Sequence, residues 1–141
     1  MLNIYVVNLG KYNEGEPIGK WVSLPASAEE LEQLYIDIKV AHRDEEGEFV
    51  PYYEEDGVKY EETAIHDYES EISGVEVGEY DSIDDLNELA EELEELDEYD
   101  IKTVEAIMEV TGYDLNYASA IARDLEFDNY CEVESGVIYI P

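Results

Sequence analysis

The sequence predicts an α+β protein: a small antiparallel sheet with one helix at the N-terminus, followed by an acidic helical domain, elongated as a whole. Three observations predict it. Short β-branched and aromatic runs at residues 3–9, 20–24 and 63–68 read as strands. Leucines at 86, 89, 93 and 96 repeat every three or four residues, the period of one helix face. The 141 residues are 45% hydrophobic and include 13 Tyr, 2 Phe and 1 Trp, enough for a core, whereas disordered acidic chains are poor in aromatic residues.

Residues 3–9 form the first expected strand. Residues 10–19, with Gly10, Gly15, Gly19 and Pro17, read as a loop, and residues 20–24 as a second strand. Pro25 and Ser27 open a helix. Ser27 and Glu30 have capping-box spacing, in which hydroxyl and carboxylate satisfy free backbone N–H groups. Leu31, Leu34, Tyr35 and Ile38 give that helix its apolar stripe. Residues 49–62 read as a hairpin: 49–53 and 58–60 flank Asp56-Gly57, a favoured turn pair. Pro51 marks an edge strand.

Residues 63–68 form the next strand. A loop with Gly74 and Gly78 follows, and the division into domains is expected beside it, as 1–72 and 73–141. Ser82 with Asp85 has the spacing of a second capping box, opening a helix through Glu98. Residues 101–110 form another helix, with Gly112 as its C-cap. Asp114 caps a third helix to about Leu125. Residues 137–140 are the last strand-like run.

Charge is the outlying property. Asp and Glu number 39 against 7 Lys and Arg, a formal net charge of -32. Duplex DNA carries one negative charge per ~1.7 Å of axis, so the same charge corresponds to roughly 16 base pairs, or about 54 Å of duplex. Such a field disfavours nucleic acid, nucleotides and anionic membranes as direct partners and favours a partner with a large basic surface. Cys131 is the sole cysteine, which excludes an intramolecular disulfide and a cysteine metal cluster. The first cation is Lys11, no signal-peptide pattern opens the chain, and no apolar run reaches the ~18 residues of a membrane span. The expected address is the cytosol.

Between Tyr60 and Ile101 the sequence has no Lys or Arg. The carboxylates assigned to the partner surface all lie in that span: Glu61, Glu62, Asp67, Glu69, Glu71, Asp84, Asp85, Glu88, Glu91, Glu92, Glu94, Glu95, Asp97 and Glu98. On a helix over residues 84–98, Asp84, Glu88, Glu91, Glu95 and Glu98 share one face. Its nine acids spread over about 22 Å give one charge per ~2.5 Å, approaching the duplex value. Like charges at this spacing destabilise a helix by a few tenths of a kcal/mol per pair. Interspersed lysines would relieve this and are absent, so a function for the repulsion is expected.

Several blocks resemble the ArdA antirestriction proteins. The opening block runs from Ile4 through Gly15 and on through Gly19-Lys20-Trp21. A second is Ala64-Ile65-His66-Asp67-Tyr68-Glu69, and a third runs from Tyr80 to Leu89 and into the acidic helix at Leu96. The resemblance implies a protein of mobile genetic elements that mimics B-form DNA. It would occupy the DNA-binding groove of type I restriction–modification enzymes, with the family's antirestriction motif on residues 86–96. Residues 41–60 look like an insertion relative to shorter members. Residues 131–141 are too short to supply the C-terminal domain through which the family resemblance implies a homodimer.

No catalytic constellation is expected. His66 and Asp67 are strand neighbours and point to opposite faces; His42 lies in a polar stretch beside Arg43. Trp21 after Gly19-Lys20 excludes a phosphate loop. Glu55-Asp56-Gly57 lacks the alternating ligands of a calcium loop. No cofactor and no metal are expected. Most of tyrosines 52, 53, 60, 68, 80, 99, 113, 117 and 130 read as core or rim packing, because the net charge repels nucleic-acid bases with their phosphates, and a few as part of a partner interface, where Tyr is enriched. Two other readings compete: an acidic module binding another basic DNA-binding, nucleoid or defence protein, and a salt-adapted domain whose charge only aids solubility.

Overall fold

The computed structural model describes residues 2–96, 98–111, 133–134 and 137–138. The fold is α+β, as the sequence predicts. The chain divides into two compact units, neither continuous in sequence. One gathers residues 2–69 and 77–87; the other, among the described residues, gathers 70–76 and those from 88 onward.

The first unit is built on strand β1, Leu2–Asn8. Leu2, Ile4 and Val6 are buried while Asn3 and Tyr5 are half-buried, the alternation of a sheet with one covered face. A short helix α1, Leu9–Asn13, follows. The sequence reads residues 10–19 as loop. The helix forms because the Asn8 side chain caps it, its Oδ1 accepting from the Lys11 backbone N–H at 3.0 Å. Asn8 is fully buried, and its Nδ2 donates to the carbonyls of Ile38 and Lys39 at 3.0 and 2.9 Å. One amide therefore ties the end of β1 to the end of the next helix.

Strand β2, Gly19–Leu24, pairs antiparallel with β1, placing Tyr5 opposite Trp21. Their rings lie 5.4 Å apart. A cis Leu24–Pro25 bond leads to helix α2, Ala28–Asp37. Both halves of the expected capping box are present. Ser27 Oγ accepts from the Glu30 backbone N–H at 3.1 Å, and Glu30 Oε1 accepts from the Ser27 backbone N–H at 3.4 Å. Leu31, Leu34 and Ile38 are buried and Tyr35 is half-buried, as the stripe requires.

The expected 49–62 hairpin is divided. Strand β3, His42–Arg43, pairs with β4, Phe49–Val50, around a turn in which Asp44 Oδ1 accepts from Glu46 and Glu48. Pro51 has no N–H to extend that ladder. The chain restarts as β5, Tyr53–Glu55, which pairs with β6, Val58–Tyr60. Asp56 (φ 51°) and Gly57 (φ 80°) both take the left-handed conformation, the geometry for which Asp-Gly is favoured in two-residue hairpins. Strand β7, Thr63–Ser70, completes a three-stranded sheet of order β2-β1-β7.

Helix α3, Ile83–Glu94, starts where Ser82 Oγ accepts from the Asp85 backbone N–H at 3.2 Å. It was expected to run to Glu98. It ends four residues earlier, in a tighter turn with Leu96 N–H donating to the Leu93 carbonyl at 3.1 Å. A helix C-terminus carries partial negative charge, so Glu92, Glu94 and Glu95 oppose its continuation. Helix α4, Glu98–Thr111, then begins with Glu98 and Asp100, where a helix N-terminus favours acids. The second unit's core is Ile72, Leu93, Val104, Ile107 and Met108, flanked by Val75, Leu89, Leu96 and Ile101. The short strands β8, Val133–Glu134, and β9, Val137–Ile138, pair antiparallel. Asp97, the Gly112 cap, the helix expected from Asp114 to Leu125, and Cys131 lie outside the described residues.

Candidate partner-binding surface

The scarce cations lie mostly among residues 11–59, and the chain consumes them internally. Lys11 is buried; its Nζ pairs with Glu55 and lies 3.5 Å from Glu16 and 4.8 Å from the Tyr60 ring centre. The hydrogen bond to Glu55 raises the Lys11 ammonium far above the ordinary lysine value and lowers the Glu55 carboxyl. Tyr60 donates its hydroxyl to Glu14 at 2.8 Å, and that bond, with burial, pushes its pKa up. Lys20 pairs with Asp37 at 2.6 Å, lowering the Asp37 carboxyl with help from Gln33. Arg43 donates to the Gly47 carbonyl. Lys59 lies 3.6 Å from Glu61 and over the Tyr52 ring, and Lys39 over the Tyr53 ring.

The acids assigned from sequence sit on several elements. Glu61 and Glu62 occupy the turn between β6 and β7. Asp67 and Glu69 share one side of β7, and Glu71 follows that strand. Asp84, Asp85, Glu88, Glu91, Glu92 and Glu94 are on α3, and Glu95 is in the turn after it. All twelve of these carboxylates are exposed. Asp97 and the Glu98 side chain lie outside the described residues.

On α3, Ile83, Leu86, Ala90 and Leu93 are buried and form one stripe. Asp84, Glu88 and Glu91 lie opposite that stripe, at helical spacing. The continuous face expected to include Glu95 and Glu98 stops at Glu91, because α3 ends at Glu94 and Glu98 opens a new helix. Six carboxylates over a twelve-residue helix, about 18 Å long, give one charge per ~3 Å. This is sparser than the sequence estimate and still within a factor of two of the ~1.7 Å of duplex DNA.

The turn between β7 and α3 carries further acids, outside the assigned set. There His66 Nε2 donates to Glu79 Oε2 at 3.1 Å, and the Ile65 N–H donates to the Glu79 carbonyl at 2.8 Å. Asp81 Oδ2 accepts from the Gly78 N–H at 2.7 Å. Tyr12 meets the His66 ring edge-on, 4.6 Å away. Of the tyrosines, Tyr60 is buried and 52, 53 and 68 are half-buried, whereas Tyr80 is 72% exposed. The side chains of Tyr99, Tyr113, Tyr117 and Tyr130 lie outside the described residues.

Among the described residues no group of three or more His, Cys, Asp or Glu could hold a metal ion, and no helix is long and apolar enough to cross a membrane. No curated protein matches the chain. A family model described as antirestriction protein (ArdA) matches residues 4–132, which spans both compact units and every acid assigned above. The chain belongs to the ArdA family of antirestriction proteins.

Proposed function

We propose that this chain inhibits restriction by imitating DNA: it occupies the DNA-binding groove of a type I restriction–modification enzyme in place of duplex. The observation that carries the reading is a run without Lys or Arg between Tyr60 and Ile101 whose assigned, described carboxylates are all exposed. Lys11, Lys20 and Lys39 are engaged by Glu55, Asp37 and the Tyr53 ring, outside that run, and Lys59 lies beside Glu61. Family membership supports an antirestriction role and an inhibitor rather than a catalyst.

The mechanism has three parts. Net negative charge steers the protein to a basic groove. Groove Arg and Lys that otherwise hold phosphates pair with Glu61, Glu62, Asp67, Glu69, Glu71 and the acids from Asp84 to Glu98. The backbones of β7 and α3 hold Asp67, Glu69 and the acids from Asp84 to Glu94 in place, which lowers the ordering cost of binding. No cofactor takes part.

The test is competition. The purified chain is titrated into a type I methyltransferase core bound to labelled duplex. Stoichiometric displacement of DNA supports the reading. An untouched methyltransferase, with binding instead to a nucleoid protein, transfers the function to a general acidic interaction module.

A further inference from the structure

We infer that a cleft in the first unit, between Tyr35 and residues 79–84, seats one arginine side chain of the basic partner. The inference rests on the groove-occupying reading and gives it a specific contact. The cleft has a volume of about 210 Å³ and is lined by Tyr35, Ile65, Tyr80, Asp81, Ile83 and Asp84. All of these residues belong to one compact unit.

Its chemistry has three components. Ile65 and Ile83 are buried and supply an apolar floor for a methylene stem. Tyr80, at 72%, is the most exposed large hydrophobic side chain among the described residues, and its ring is open to a flat cation. Asp81 and Asp84 supply carboxylates, with Glu79 also lining the cleft. The Gly78 N–H fixes the Asp81 carboxylate before any partner arrives. Asp84 is felt inside: burial raises the Tyr35 hydroxyl pKa, and the Asp84 charge raises it further.

The chain itself uses this contact, with Lys11, Lys39 and Lys59 over Tyr60, Tyr53 and Tyr52. Among the described residues no cation of the chain lies over Tyr80. The N-terminus of α3 also borders the cleft and carries partial positive charge, but Asp84 and Asp85 in its first turn offset that. Arginine fits better than lysine. A planar guanidinium can stack on a ring and fork onto a carboxylate together, whereas an ammonium is a compact, strongly hydrated point charge.

The test titrates the isotope-labelled full chain, at low salt, with N-acetyl-arginine methylamide and separately with its lysine analogue, followed by amide NMR. Expected are shifts concentrated at residues 63–65 and 79–84, about threefold tighter binding of the arginine probe, and loss of both in Tyr80→Ala. Tyr80→Phe retains the ring and the binding. Shifts spread evenly over the acidic surface, or equal binding of the two probes, overturn the inference. In a second arm, Tyr80→Ala weakens competition with DNA for the methyltransferase core about tenfold and Tyr80→Phe does not. If the probe seats but the parent chain fails to displace DNA, the cleft stands and the target reading falls. If the parent displaces DNA but the probe does not seat, the cleft falls and the target reading stands.

Discussion

Asn87 on α3 grips the backbone of Ala26 from both sides: its Oδ1 accepts from the Ala26 N–H at 2.7 Å and its Nδ2 donates to the Ala26 carbonyl at 3.0 Å. Ala26 lies immediately before the Ser27 cap of α2. One side-chain amide thus replaces a backbone partner and fixes the start of the acidic helix against the start of α2. Asn87 points among the polar residues of α3 by sequence, yet it is half-buried and structural.

Replacing Asn87 with Ala leaves both Ala26 groups without these bonds. The expected loss is about 1–3 kcal/mol, the cost of partly buried groups left unpaired. Urea unfolding followed by circular dichroism measures it; a loss within error would mean that water satisfies Ala26 equally well.

Asn8 is a stricter case, being fully buried with three bonds. Asn8→Leu keeps volume but removes the α1 cap and both bonds to the end of α2. The expected destabilisation is about 3 kcal/mol or more, combining cap loss with unpaired buried carbonyls. Hydrogen exchange at Lys11, whose N–H the cap holds, should accelerate together with the global loss.

Leu93→Ala tests the second unit. Leu93 is buried in the cluster with Val104, Ile107 and Met108, and truncation should cost about 2–5 kcal/mol through lost burial and the remaining cavity. Thermal unfolding checks this. A near-neutral result would place Leu93 outside a packed core.

Lys11 and Glu55 give a pH dependence with a defined sign. The Glu55 carboxyl is lowered in the folded state, chiefly by its bond from Lys11. Its contribution is therefore complete above the ordinary glutamate value of 4.5 and is lost as pH falls through the lowered value. Lys11 is raised, so its contribution is lost only in strong alkali, as pH climbs through the folded value. Denaturant midpoints of the parent and Glu55→Gln should differ at neutral pH and converge as pH falls below 4.5. A gap that stays constant with pH would contradict this.

Local signals were legible in the sequence. The Ser27–Glu30 box and the Asp56-Gly57 turn depend only on near neighbours, and both formed as read. Helix α1 was missed because its cap, Asn8, is locked by carbonyls some thirty residues away. Phe49 and Val50 went to the wrong partner because nothing near them reveals His42–Arg43 as the alternative. Periodicity marked the leucine stripe correctly but could not see the helix end, which electrostatics at the C-terminus decides. The acids are legible as charge, Glu79 and Asp81 included; the cleft beside them is not, since it exists only once Tyr35 and Ile65 are brought next to Tyr80.

In the proposed mechanism, carboxylates held on a folded scaffold stand in for phosphates. The most direct measurement replaces Asp84, Asp85, Glu88, Glu91, Glu92 and Glu94 with their amides and compares parent and variant in displacing duplex from the methyltransferase core. The expected variant keeps its helix signal, is as stable as the parent or more so because repulsion is relieved, and inhibits at least about tenfold more weakly at moderate salt. A folded variant that displaces DNA as well as the parent would contradict it.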